Sequence, residues 1–90
     1  MPELEEYRKQ IRAINTELLS QLKKRFDVVK MVGAYKIQRG IPIRNVEVEE
    51  NQIQILRRQG REFGLDEDFV EELFRQIIAH AVRLEEDMEH

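Results

Sequence analysis

From Leu4 to Arg39 the apolar positions recur with a helical period. At 3.6 residues per turn, Leu4, Ile11, Leu18, Leu22, Val29 and Val32 fall within about 80° of arc on one side of a helix. No proline lies between Pro2 and Pro42, and the glycines of the run are Gly33 and Gly40. The pattern therefore predicts a single helix of about 36 residues, roughly 54 Å long at ~1.5 Å per residue. Gly40-Ile41-Pro42 ends it. Asn45 then reads as an N-cap, with Glu47, Glu49 and Glu50 placed to meet the positive end of the helix dipole. A shorter helix is predicted from Val46 to Phe63, with Gly60 as its weak point. Gly64 reads as the C-cap, and Leu65 and Asp66 as the staple and N-cap of a third helix. In that helix Val70, Leu73, Phe74, Ile77, Ala81, Leu84 and Met88 share one face. The expectation is one all-α domain over residues 1–90, built from a long, a short and a medium helix.

The length of the first helix has a consequence for assembly. A compact chain of 90 residues has a radius of gyration of about 12 Å, so a rod of that length overshoots its own globule. The two shorter helices are too small to cover its apolar stripe. An intertwined homodimer is expected, in which a second copy supplies the missing core.

Composition narrows the class further. The chain has no cysteine, which excludes a disulfide framework and thiolate metal sites. Its apolar runs are far too short for a membrane span, and Met1-Pro2-Glu3-Leu4-Glu5-Glu6 lacks the features of a signal peptide, so a cytoplasmic chain without a membrane partner is expected. The net charge of -3 hides an asymmetry: nine Lys/Arg against five Asp/Glu in residues 1–40, six against thirteen in 41–90. A basic first half raises the question of nucleic acid. The cations that matter there are not on the solvent face, and no nucleic-acid partner is expected.

Those cations are the anomaly of the sequence. Arg8, Arg25 and Lys36, 17 and 11 residues apart, lie on or beside the stripe that carries Leu and Val. Each long stem can snorkel over apolar neighbours. Three such charges on a face that offers no anion also fit a dianionic ligand held between helices. His80 falls at the edge of the third helix's apolar face and His90 ends the chain, a placement that makes no metal site. Tyr7 and Tyr35 read as packing residues, and Arg57, Arg58 and Arg61 with Lys23 and Lys24 as solvated basic faces. Gly33 costs about 1 kcal/mol in a helix interior relative to Ala, which implies close helix approach or room for a ligand.

The order Arg8-x2-Ile11-x2-Ile14-Asn15-x2-Leu18-Leu19-x2-Leu22-x2-Arg25, Val32-Gly33-x2-Lys36, Pro42-Ile43, Glu49, and Gly64-Leu65-Asp66 through Phe74-x2-Ile77-Ile78 resembles the all-helical chorismate mutases over nearly the whole chain. The resemblance implies an intertwined homodimer with two active sites, each built from both chains. It implies that Arg8 reaches into the partner's site to hold a substrate carboxylate and that Arg25 holds the other carboxylate in its own site. Lys36 would donate to the ether oxygen of the breaking bond, Glu49 would bind the ring hydroxyl, and Asn45 would stand near that hydroxyl where Asp is frequent.

The implied reaction, the Claisen rearrangement of chorismate to prephenate, is unimolecular and pericyclic. It needs no nucleophile, base, metal or cofactor. Two clamped carboxylates enforce the chair-like geometry. A fixed ammonium stabilises the negative charge that grows on the ether oxygen as C–O cleavage runs ahead of C–C formation.

Three positions depart from the family. Val48 replaces an arginine frequent beside the substrate carboxylate, so a compensating cation would have to come from a neighbour such as Arg44. Ala81 replaces a small hydroxyl residue that touches the substrate. Glu85 stands where bacterial members have Gln, the second donor to the ether oxygen. A carboxylate donates only when protonated, so activity that falls with rising pH is expected. The acidic run Glu85-Glu86-Asp87 is also consistent with a solvated Glu85. Asn45 and Val48 keep open a sibling enzyme on the same scaffold, a 4-amino-4-deoxychorismate mutase or an isochorismate pyruvate-lyase. A non-catalytic helical dimerisation module would instead pair Arg8, Arg25 and Lys36 with acids of other helices.

Overall fold

The computed structural model describes residues 1–89, so His90 lies outside the described residues. Three helices and no strands are found among them: α1 (Pro2–Arg39), α2 (Val46–Glu62) and α3 (Glu67–Met88). The predicted long, short and medium order holds, with α1 starting two residues earlier than its apolar pattern because Pro2 fits the first helical turn, where a missing N–H costs nothing.

Each boundary has a local cause. Gly40 takes the left-handed conformation (φ 67°) that closes α1, and the Ile41 N–H donates back to the Lys36 carbonyl at 2.9 Å. Asn45 caps α2 by accepting from the Val48 N–H at 3.1 Å, and Asp66 caps α3 by accepting from the Phe69 N–H at 2.9 Å. Gly64 (φ 78°) reverses the chain between them, and the Leu65 N–H donates to the Gly60 carbonyl at 2.8 Å. Gly60 does not end α2. It is buried, and a Cβ there would lie 2.7 Å from Val70 Cγ2, so this glycine lets α2 and α3 approach closely.

α3 is the common partner. It packs against both α1 and α2, whereas α1 and α2 do not pack on each other. The small core is Ile43, Ile53, Val70, Ile78 and Ala81, with Ile53 at 0% exposure. Leu73 and Met88, expected on the buried face of α3, are exposed, and the buried positions are Val70, Ile78, Ala81 and Glu85, the last three each about one helical turn from the next. Polar groups tie the outer edge of the α2–α3 pair. Arg75 donates to both carboxylate oxygens of Glu50, at 3.0 and 3.1 Å, and to Glu71 at 2.7 Å. Arg57 donates to Glu71 at 2.8 Å and to Asp68 at 3.0 Å, so Arg57 is half-buried and paired where the sequence suggested a solvated basic spot.

The chain is a rod with a short thick end, 57 × 26 × 15 Å, with a radius of gyration of 16.6 Å. A globule of this length would measure about 12 Å. Every residue from Met1 to Gln21 is exposed, among them Leu4, Ile11, Ile14, Leu18 and Leu19. Tyr7 and Tyr35 are exposed too, and the Arg39 guanidinium lies over the Tyr35 ring, 4.8 Å from its centroid.

Candidate functional site

The bend between α1 and α2, closed at the back by α3, encloses a cavity of ≈ 450 Å³, a size typical of small-ligand sites. α1 contributes Arg25, Val28, Val29, Val32 and Lys36, one turn after another along a single face. The linker and first turns of α2 contribute Ile43, Arg44, Asn45, Val48, Glu49 and Gln52, and α3 contributes Ile78, Ala81, Val82 and Glu85. Seven of the eight residues singled out in the sequence therefore meet in one place: Arg25, Lys36, Asn45, Val48, Glu49, Ala81 and Glu85.

Lys36 and Glu85 form the polar centre. Lys36 Nζ donates to the Ile43 carbonyl at 2.6 Å and lies 3.3 Å from Glu85 Oε1. That second approach is an ion pair without hydrogen-bond geometry, and Glu85 Oε1 is left buried and without a hydrogen-bond donor. An ammonium carries three donors, so Lys36 keeps capacity for a ligand. Glu85 is buried, its side chain 7% exposed, and is not part of a solvated acidic tail. Gly33 explains how it gets there: a Cβ on Gly33 would lie 3.0 Å from Glu85 Cγ and from Met88 Sδ, so the bare glycine lets α3 set Glu85 against α1.

Arg25 is the second centre. Its guanidinium is half-buried, its Nη1 has no hydrogen-bond partner, and burial draws its pKa below the ordinary arginine value. A buried donor left unmade costs roughly 1–3 kcal/mol, so the site holds an unmet demand for an acceptor, best met by an anion. Around these groups Val28, Val29, Val32, Ile78, Ala81 and Val82 form an apolar wall, buried at Ile78 and Ala81 and open to solvent at Val28 and Val32, so electrostatic contacts are strengthened at its buried end.

On the α2 side, Arg44 Nε donates to Glu49 Oε2 at 3.1 Å. Asn45 gives its Oδ1 to the helix cap, and Val48 presents a bare apolar side chain between them. Sequence reasoning did not single out Gln52, though its position seven residues after Asn45 and four after Val48 puts it on the same helix face.

Arg8 does not join the cavity of its own chain. It sits 17 residues before Arg25 on α1, roughly 26 Å away along the axis, exposed and donating to Glu5 at 2.8 Å. Of the three cations on the α1 stripe, Lys36 meets an acid of another helix, Arg8 pairs within α1, and Arg25 Nη1 has no partner among the described residues. His80 is exposed, its ring edge-on to Phe26 at 4.9 Å between centroids. No helix among the described residues is long and apolar enough to cross a membrane.

The chain is also similar in sequence to known proteins. The chain is 31% identical over 78 residues to a T-protein of Haemophilus influenzae, a match covering 87% of this chain and 21% of that protein. It is 31% identical over 85 residues to a T-protein of Enterobacter agglomerans, covering 94% of this chain and 23% of the relative. The chain thus spans between a fifth and a quarter of the length of these curated relatives. The sequence pattern of the family described as chorismate mutase type II matches residues 7–86, taking in most of α1 and α3, all of α2 and every residue that lines the cavity. The chain belongs to the chorismate mutase type II family.

Proposed function

We propose that the protein is an isomerase that converts chorismate to prephenate, working as a homodimer in which each cavity is completed by Arg8 of the partner subunit. The observation that carries this reading is the enclosure of Arg25, Lys36 and Glu85 in one apolar cavity with a buried guanidinium nitrogen and a buried carboxylate oxygen that lack hydrogen-bond partners.

Arg25 binds one carboxylate of the substrate, and the partner's Arg8 the other. Held at both ends, the enolpyruvyl side chain is folded over the ring, and the entropy of that folding is met by binding before the reaction starts. The ether C–O bond then breaks while the new C–C bond forms, the two double bonds shift, and nothing is gained or lost. Charge grows on the ether oxygen as the C–O bond lengthens. Lys36 faces that oxygen with an N–H, and the Glu85 carboxylate 3.3 Å away holds the ammonium in place. The Lys36 contact is stronger in the transition state than in the ground state, which is the condition for a gain in kcat. Glu49 accepts from the ring hydroxyl, and Val48 and Ala81 shape the wall.

Arg8 is the reason to require two chains. It lies on an exposed apolar half-helix, and antiparallel pairing of two such rods would cover Leu4, Ile11 and Leu18 while carrying each Arg8 to the other chain's site.

The test is incubation of the pure protein with chorismate, with isochorismate and with 4-amino-4-deoxychorismate, products identified by NMR, alongside sedimentation to give the mass in solution. Prephenate from chorismate and a dimeric mass are expected. Turnover of one of the other compounds alone assigns a sibling reaction. A folded dimer inert to all three overturns the enzyme reading in favour of a dimerisation module.

A further inference from the structure

The end of the cavity formed by the first turn of α2 carries a specific arrangement of donors and acceptors. The backbone N–H of Val48 donates to Asn45 Oδ1 at 3.1 Å. The amide oxygen is the atom that accepts, so Oδ1 is engaged by the cap and the Asn45 group without a partner among the described residues is its NH2, a donor. Arg44 Nε donates to Glu49 Oε2 at 3.1 Å, and Glu49 Oε1 takes no hydrogen bond from the described residues. Glu49 therefore keeps one free acceptor, while its charge is balanced by the guanidinium. Val48 adds no charge between them, and all four residues line the same cavity.

We propose that Arg44 is a positioning residue that sets the substituent preference of the site. By engaging Glu49 it leaves this end of the cavity with one acceptor, one donor and no net charge, a set that fits a ring hydroxyl and disfavours a ring ammonium. A hydroxyl both donates and accepts, so it satisfies Glu49 Oε1 and the Asn45 NH2 together. An ammonium only donates. It leaves the Asn45 NH2 facing another donor and brings a positive charge toward Arg44, and like-charge juxtaposition is how specificity is built against a wrong ligand. The proposal rests on the reading that the cavity binds a chorismate-type dicarboxylate, and it selects the hydroxyl-bearing member of that class over the amino one.

The experiment compares wild type with Arg44→Gln and Arg44→Lys. It reads KM and kcat on chorismate and on 4-amino-4-deoxychorismate, and the calorimetric Kd of a bicyclic ether dicarboxylate carrying a hydroxyl or an ammonium at the ring position. Arg44 is 65% exposed, so its removal is expected to leave the circular dichroism spectrum unchanged. It should move the kcat/KM ratio toward the ammonium compound by roughly five-fold, the scale of an exposed charge pair, chiefly through KM. Arg44→Lys should restore part of the ratio, because it keeps the charge without the guanidinium fork. An unchanged ratio in Arg44→Gln, an equal loss of kcat on both compounds, or a wild type that prefers the ammonium overturns the proposal while leaving the chorismate reading in place. A folded wild type that neither converts nor binds any of these compounds overturns both.

Discussion

Lys36 Nζ lies 3.3 Å from Glu85 Oε1, although the two residues are on different helices and far apart in the chain. The pair spans the α1–α3 contact in the cavity lining, so under the proposed function the reaction depends on how those two helices dock.

Lys36→Ala is expected to lower kcat by roughly 10²- to 10³-fold, the cost of removing one fixed donor from a developing oxyanion, with the helical spectrum retained. Glu85→Gln removes the charge that faces Lys36 Nζ and puts an amide donor in its place. It is expected to change kcat more than the melting temperature, and steady-state kinetics with thermal melts on both proteins check this; an unchanged kcat removes Glu85 from the site.

Arg8 and Arg25 should complement each other across chains. Arg8→Ala and Arg25→Ala homodimers are each expected to be inactive and folded. Mixed in equal amounts after unfolding and refolding together, they form hybrid dimers in which one of the two sites has both arginines. About a quarter of wild-type activity should return, from half the dimers carrying one intact site each. Zero recovery despite hybrid formation on native gels would show that Arg8 serves no partner site.

Two glycines should respond differently to alanine. At Gly60 the added Cβ meets Val70 at 2.7 Å, and a β-branched side chain has little rotamer freedom. Gly60→Ala is expected to cost about 1–3 kcal/mol of stability, seen as a lower urea midpoint. At Gly33 the Cβ meets the flexible stems of Glu85 and Met88 at 3.0 Å, which can give way. Gly33→Ala should lose more in kcat than in stability, by moving Glu85 away from Lys36.

Acid should loosen the α2–α3 edge. Glu50 and Glu71 are held below the ordinary carboxylate value, in both cases first by hydrogen bonds from Arg75. Groups lowered in the folded state stabilise it fully above their unfolded value, near 4.5, and lose that contribution as pH falls through the folded value. The melting temperature should therefore drop as pH falls from about 5 toward 3. Arg75→Ala should be less stable at pH 7 and show a shallower drop, although exposure and salt keep the effect modest. Parallel acid limbs in the two proteins would remove Arg75 from the account.

The helices were legible from residue spacing, as were two cations of the candidate site; its other residues came from the family resemblance. Asn45, Asp66, Gly40 and Gly64 punctuate the chain so clearly that the helix order follows from them, and Arg25 and Lys36 were conspicuous as charges on an apolar stripe. Glu85 was harder. One-dimensional pattern put it in an acidic run, and only the close approach at Gly33, a property of two helices together, buries it. The exposure of Leu73 and Met88 was illegible for a related reason: periodicity gives the apolar face of α3, but not which part of that face its two neighbours reach. Arg57 was misjudged because its partners Asp68 and Glu71 belong to the next helix. Arg44 and Gln52 carry no sequence signal stronger than adjacency to Asn45 and Val48.

α1 and α2 touch α3 and not each other, so the cavity is the open angle of a hinge with α3 as its pin. A ligand gripped by Arg25 and Lys36 on one arm and by Glu49 on the other acts as the missing cross-brace of that frame. Under the proposed function, part of its binding energy would go into stiffening the protein, and the substrate itself would fix the width of the space in which it folds to react.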